Sequence, residues 1–395
     1  MKRILPYSLA LLTLSFAVHT SKVQAEVKSE TAAKPTAAPA AMSQKRTVSM
    51  GVMLPLHDEN GDGRRMVEYY RGLLMACDSL RHLGYSVDVH AWNTPDTGDM
   101  SAVLSDKAAQ KCDFIVGPLY SKQMAALSAF VSRHDIRLVI PFSINAPELT
   151  TNRNIFQVYQ SPTTQNEAVA DQFMRQFSGY YPIIIDCNDS TSTKGPFTAT
   201  LRRRLEAQGT KYAITNLKSL EANFAKVFSK SKPNVVVLNT GRSQELNVAF
   251  AKLNGLTTQQ PGLKIVMFGY TDWMMYTKFQ LDNFYKYNVY IPAPFHYNPL
   301  TSKTIRLQQK YRWNFHQDMM DRQPRFAITG FDHGMFFLQG FLRYGKDFTG
   351  AKGVLDYDPV QTPLWFERLG NGGLRNRSLL FVHYLPEQRV ETIAF

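Results

Sequence analysis

From residue 46 onward, short β-branched and apolar runs alternate with stretches of helical periodicity at a regular spacing. That alternation confines the chain to parallel sheets covered by helices on both faces. The first half reads as strands over 47–56 (TVSMGVMLPL), 86–92, 114–116 and 138–142 (LVIPF), with helices over 64–83, 101–110 and 121–133 between them. In the long helix, Met66, Leu73, Leu74, Cys77 and Leu80 recur at three- and four-residue intervals, the stripe of a helix lying on a sheet. After 154–159 and a helix near 164–177 the pattern restarts, with strands over 182–187 (PIIIDC), 213–217, 234–239 (NVVVLN), 264–268 (KIVMF) and 289–291. Helices over 197–207, 221–229, 245–253 and 278–284 separate them. Helices over 302–315 and 327–341 and a strand over 378–384 follow. The apolar middle of 327–341 (GMFFLQGF) suits burial between lobes or against one sheet, which would let the chain cross back over a hinge.

The expectation is therefore an α/β protein of two doubly wound parallel-sheet lobes joined by a hinge. Lobe 1 takes about 46–160 with part of 326–350, and lobe 2 about 180–300 with the C-terminal elements. Some 350 residues exceed what a single hydrophobic core accommodates. Ahead of the lobes, residues 1–25 read as a secretory signal, with Lys2 and Arg3 before an apolar stretch and cleavage after Ala25. Residues 26–45, rich in Ala and Pro, bury too little apolar surface to offset their ordering entropy and read as a flexible tether. No cysteine lies near the cleavage site, so the expected location is periplasmic, without a lipid anchor.

The formal charge of +13 invites a polyanion partner, but the cations are scattered. The one tight run, Arg202, Arg203 and Arg204, reads as a solvated helix face, and no nucleic-acid partner is expected. Cys77, Cys112 and Cys187 fit no metal spacing. Cys77 and Cys112 share the first lobe, and either bridge or remain separate buried thiols.

No catalytic set emerges. The chain has no nucleophile elbow, HExxH, CxxC or phosphate-cradling glycine loop, so neither an enzyme nor a cofactor is expected. Gly370, Gly372 and Gly373 precede a strand and read as a turn. Asp58, Asn60, Asp62 and Gly63 open like a calcium loop, but its twelfth position is Tyr69 instead of a bidentate Glu, which makes this a polar loop. Asp332 and His333 are neighbours on a helix, face different ways and read as surface or core groups.

The loops after strands remain. In parallel α/β sheets, ligands gather beyond the carboxyl ends of the strands, where helix N-termini offer unsatisfied N–H groups. In lobe 1, Ser121 is placed to cap a helix while Tyr120 presents an aromatic face, and Ser143 and Asn145 offer hydrogen bonds after the next strand. In lobe 2, Asp189 and Asp272 are candidates to receive a ligand ammonium, with Tyr270 and Trp273 flanking it.

Through these residues the chain resembles a known family. VSMGVMLPLHDENGDGRRMVEYYRGLLMACDSL, CDFIVGPLYSKQ, LVIPFSINAPEL and FAITGFDHGMFFL, in that order, resemble the type I periplasmic binding proteins of the branched-chain amino acid group. The resemblance spans nearly all of 46–395. It is strongest to amino-acid-binding-like proteins of Bacteroidota, some of which carry LysM modules where this chain has its tether. It implies ligand contacts at Tyr120, Ser121, Ser143 and Asn145, and in the second lobe at Asp189 and Asp272. It also implies a solute-binding protein that closes on a small polar ligand, an amino acid or short peptide, with an inner-membrane ABC permease as partner. The alternative is a cell-envelope interaction protein of the same fold that binds peptidoglycan or regulates an envelope enzyme.

Overall fold

A computed structural model describes residues 47–395, so the expected signal and tether lie outside the described residues. Ten strands form two parallel runs: β1 (Thr47–Leu54), β2 (Ser86–Asn93), β3 (Phe114–Val116), β4 (Arg137–Ile140) and β5 (Ile155–Gln157), then β6 (Tyr181–Asp186), β7 (Ala213–Asn216), β8 (Asn234–Leu238), β9 (Ile265–Phe268) and β10 (Tyr290–Ala293). Four short strands complete the chain: β11 (Phe366–Arg368), β12 (Leu374–Asn376), β13 (Leu380–Leu385) and β14 (Arg389–Ala394). The helices are α1 (Gly61–Arg81), α2 (Ser101–Leu104), α3 (Met124–His134), α4 (Pro162–Gln176), α5 (Gly195–Ala207), α6 (Glu221–Lys226), α7 (Ser243–Gln259), α8 (Thr277–Lys286), α9 (Ser302–Phe315) and α10 (Phe326–Tyr344).

The two seven-stranded sheets run β11-β12-β5-β4-β3-β1-β2 and β14-β13-β10-β9-β8-β6-β7. Each contains the doubly wound order 2-1-3-4-5, so each has a switch point, between β1 and β3 and between β6 and β8. Alternation along the strands fills both faces of the first sheet. Val48, Met50, Val52, Phe114, Val116 and Val139 turn toward α1 and α10, whereas Met53, Ile115, Leu138 and Ile140 turn toward α3. The second sheet has one continuous core, including Ile183, Ile185, Val236 and Phe268 against Phe173, Leu201 and Leu253.

In α1, Met66, Leu73 and Leu80 are buried as the stripe requires, but Leu74 and Cys77 are only half-buried while Tyr69, Met75 and Ala76 are fully enclosed. The reason is that α1 is covered by α10, and Met75 packs with Leu307 and Tyr311 of α9. The α1–α10 crossing is backbone to backbone. A Cβ on Gly72 would stand 2.0 Å from the Ala327 carbonyl oxygen, and one on Gly330 would stand 2.0 Å from that of Tyr69.

The chain passes between lobes at 158–161 after β5, at 294–301 after β10, and at 377–379 between β12 and β13. Helix α10 does not itself cross; it packs in the first lobe, with Phe337 and Phe341 in that core. The C-terminal elements divide between the lobes: β12 pairs with β5 (Leu374 opposite Phe156) and β13 with β10 (Leu380 opposite Ala293). The glycines at 370–373 turn the β11–β12 hairpin. The three cysteines are free, so no Cys77–Cys112 bridge forms.

Candidate functional site

Strands β5 and β10 both leave their sheets at the carboxyl end and run straight into the crossings. The carboxyl ends of both sheets therefore border the segments that join the lobes, and the post-strand loops lie where the resemblance puts a ligand.

On the first lobe, the turn after β3 begins at Gly117, whose φ of 145° and close approach to Met53, 2.2 Å from a built Cβ to the carbonyl oxygen, admit no side chain. Tyr120 follows, half-buried, its hydroxyl donating to Asp62 of α1 at 3.3 Å. Burial first, and the Asp62 charge second, raise the Tyr120 pKa. Ser121 is exposed and does not cap: the short 3-10 turn Ser121–Gln123 takes Tyr120 as its N-cap, which puts Ser121 inside the first turn. Asn60 caps α1 instead, accepting from the Gly63 N–H at 2.8 Å, so the calcium-like loop is a helix cap. After β4, the Ser143 hydroxyl closes a turn on its own loop, donating to the Asn145 carbonyl at 3.3 Å and accepting from the Asn145 N–H at 3.2 Å. Ser143 is buried and Asn145 exposed. Among the described residues, no hydrogen bond joins the Tyr120–Ser121 loop to the Ser143–Asn145 loop.

The second lobe gathers more. The loops after β6 and β8 are laced together by Asn239, whose carbonyl Oδ1 accepts from the Cys187 N–H at 2.8 Å and whose Nδ2 donates to Asp186 at 2.9 Å. Asp189, with its side chain 1% exposed, accepts from the hydroxyls of Thr191 and Thr240 at 2.7 Å each, and Arg242 lies 3.4 Å away. The Thr191 and Thr240 hydroxyls, with Arg242 adding its charge, hold the Asp189 carboxyl down to about 2. Asp272 forms an ion pair with Lys194 at 2.7 Å, just ahead of α5, and the same ammonium lies 5.1 Å from the centre of the Tyr270 ring. Gly241 fits between them: a Cβ there would meet Asp272 Cγ at 3.0 Å and Lys194 Cε at 3.1 Å.

The structure thus joins Asp189, Asp272 and Tyr270 through Lys194 and the 239–242 loop, groups that strand patterns alone do not single out. The cue available in the sequence was the position of that loop directly after β8, beside the switch point. Tyr270 is buried and donates its hydroxyl to the Leu238 carbonyl at 2.6 Å; burial pushes its pKa far up. Trp273 does not flank the site: it is fully enclosed and stacks on Phe284 at 6.2 Å. Asp332 and His333 are both core groups on α10. Among the described residues, no group of three His, Cys, Asp or Glu side chains is arranged to hold a metal ion, and no helix is long and apolar enough to cross a membrane.

No family model matches the chain, and no curated protein does. Solved structures match in fold. A protein assigned to branched-chain amino acid ABC transport in Rhodospirillum rubrum is 13% identical over 88% of this chain and 100% of its own, with a TM-score of 0.54. Full-length LpoA from Haemophilus influenzae is 14% identical over 89% of this chain, with a TM-score of 0.53, and the match spans 60% of that protein. The LpoA C-domain, described as a regulator of PBP1A, is 14% identical over 87% of this chain and 99% of that domain, with a TM-score of 0.50. At such identities the likeness is one of architecture, and that architecture is the two-lobed type I periplasmic binding protein fold.

Proposed function

We propose that this chain is an extracytoplasmic binding protein without catalytic activity that closes its lobes on a small polar ligand, an amino acid or short peptide, for transport or sensing. The observation that carries this reading is the second-lobe constellation, where Lys194, Asp272, Tyr270 and the Asp189–Thr240–Arg242 set converge at the carboxyl ends of β6, β8 and β9. Tyr120, Ser121, Ser143 and Asn145 supply the facing first-lobe loops. Because Asp189 is already satisfied within the chain, Asp272 and Lys194 are the groups that exchange partners: a ligand ammonium takes the carboxylate, and a ligand carboxylate takes the lysine and the first turn of α5. An inner-membrane ABC permease is the partner in the transport form of this reading.

A second reading has its own support. Both second-lobe carboxylates are paired within the chain, and the fold match to LpoA is as good as that to the transport protein. On this reading the chain binds peptidoglycan or an envelope enzyme through its outer surface. Thermal denaturation against amino acids, short peptides and peptidoglycan fragments separates the two. A cleft ligand at about 100 times its Kd adds about 2.7 kcal/mol to the native state, and that gain disappears in Lys194→Ala and Asp272→Ala. A flat response, together with co-sedimentation of the protein with peptidoglycan, supports the second reading.

A further inference from the structure

The parallel strands of the second sheet bring their amino ends to one edge, at the end away from the loop site. Tyr181 of β6 stands level with Asn234 of β8, Asn234 with Ile265 of β9, and Ile183 with Ala213 of β7. Cations that are far apart in the sequence meet there. Lys211 leads into β7, Lys230 and Lys232 into β8, Lys264 into β9 and Lys286 into β10, and all of them are exposed, as are Arg175 and Lys226. Arg175, Lys226 and Lys286 close the last turns of α4, α6 and α8, where a cation complements the helix dipole. Lys211, Lys230, Lys232 and Lys264 stand in connections and serve no helix. Among the described residues, the lysine ion pairs are those of Lys194, Lys303, Lys310 and Lys346, so every lysine of this edge lacks one. The carboxylates nearby, Glu206, Asp282, Glu387 and Glu391, are outnumbered, and Glu206 already accepts from Tyr212 at 2.7 Å and Glu391 lies 3.0 Å from His383. The amino end of the first sheet differs: there Arg137 and Lys346 both pair with Asp135, at 3.4 and 2.5 Å. The lysines of the second sheet are also held in place. Asn234, fully buried, donates its amide NH2 to the Ser229 carbonyl at 2.9 Å and to the Lys264 carbonyl at 3.2 Å, and its oxygen accepts from the Ser229 N–H at 2.8 Å. That one side chain ties the turn carrying Lys230 and Lys232 to the turn carrying Lys264.

We propose that this edge of the second lobe docks on the surface of an anionic phospholipid bilayer, leaving the loop site at the other end of the sheet free. The residue types favour a bilayer over other polyanions. Ammonium groups are compact point charges suited to a diffuse negative plane, whereas a single phosphate or carboxylate is gripped by the planar fork of arginine. A sugar chain or a nucleic acid would need open aromatic faces to stack on. The rings of this end are covered instead: Tyr287 is part of the core, and Tyr180, Tyr181 and Tyr212 pack against it. The width fits as well, because strands about 4.8 Å apart spread the cations from Lys211 to Lys286 over about 20 Å, the breadth of several headgroups. Each lysine near such a surface strengthens binding by about fivefold, so the edge as a whole acts where one lysine would not.

The test is co-sedimentation of the chain from Glu26 onward with vesicles of phosphatidylcholine, alone or mixed with phosphatidylglycerol. Binding to the mixed vesicles alone is expected, and it weakens between about 50 and about 300 mM salt as the charges are screened. Reversing three exposed lysines together, Lys230→Glu, Lys232→Glu and Lys264→Glu, weakens binding by about a hundredfold. The same change of net charge in the first lobe, Lys107→Glu, Lys111→Glu and Arg133→Glu, has a small effect, which separates the edge from overall charge. In the unmodified sequence, acetylation of lysines by a water-soluble reagent is slowed by the mixed vesicles at Lys211, Lys230, Lys232 and Lys264 and unchanged at Lys107 and Lys111, a readout that needs no variant to fold. Lys194→Ala, which impairs the loop site, leaves vesicle binding unchanged, so failure of the cleft reading and failure of this one are told apart. Equal binding to neutral vesicles, equal losses in the two triple variants, unaltered acetylation of the edge lysines, or retention by peptidoglycan without retention by vesicles overturns the proposal.

Discussion

The hydroxyl of Tyr69 on α1 lies 2.9 Å from Nδ1 of His333 on α10, while His333 Nε2 has no partner and the ring is fully buried. Burial pushes the imidazole pKa down to about 3 from its ordinary 6.5. The unfolded chain therefore binds this proton more tightly, and His333 lowers stability as pH falls from 6.5 toward 3. Between pH 7 and pH 5 the wild type is expected to lose up to about 2 kcal/mol that His333→Gln, which keeps a hydrogen-bond acceptor, does not lose. Urea midpoints of the two proteins at both pH values measure the difference.

Next along α10, Asp332 accepts from the backbone N–H groups of Val360, Gln361 and Thr362, each at 2.8 Å. Burial raises this carboxyl to about 6 against the pull of those donors. Its contribution has the opposite sign to that of His333: it favours the folded state most below pH 3.8 and fades as pH rises through 6. Asp332→Asn turns an amide NH2 toward N–H donors, with an expected loss of about 3 kcal/mol. Hydrogen exchange at Val360–Thr362 should accelerate in the same variant.

Gly72→Ala and Gly330→Ala each drive a methyl into the other helix's backbone at the α1–α10 crossing, where no flexible side chain can yield. Each is expected to cost about 3 kcal/mol. Chemical denaturation checks this, and Gly255→Ala, where a Cβ meets nothing within 4 Å, is the control.

Thr240→Val removes one of the two hydroxyls that hold Asp189 down. Carboxyl NMR titration should find the Asp189 pKa raised from about 2 toward 3.8. The stability tied to Asp189 is lost as pH falls from 3.8 through about 2, and the variant narrows that window.

Burial pushes the thiols of Cys77, Cys112 and Cys187 up to about 12, 11 and 12. At neutral pH the native protein should not react with a thiol reagent over minutes, and denaturation should release all three cysteines.

Both sheets were legible because β1 is rich in apolar residues and β6 and β8 hold the unbroken apolar runs 183–185 and 235–238, a signal that needs no tertiary information. Strands β11 and β12 were not, because each has three residues and carries charge at Glu367, Arg368 or Arg375; only the pairing of β12 with β5, and of β11 with β12, makes them strands. In the site, Asp189, Tyr270 and Asp272 could be placed by position after a strand. Lys194 could not, because its role depends on the β6 and β9 loops meeting in space. Trp273 was misplaced for a related reason: the 3-10 turn folds its ring beneath Gly269, where a Cβ would stand 2.3 Å from it.

The threefold passage of the chain between the lobes has a mechanical consequence. One strap would let the lobes swivel freely; straps at 158–161, 294–301 and 377–379, the first and third joined by Gln160 to Ser378 and the second tied to the first lobe by His296 to Gln361, oppose twist and slide and leave bending as the soft direction. A protease nick in any one strap leaves two others holding. The loops of the two lobes are thus geared together, so a change at one rim is read at the other as a change in gap width.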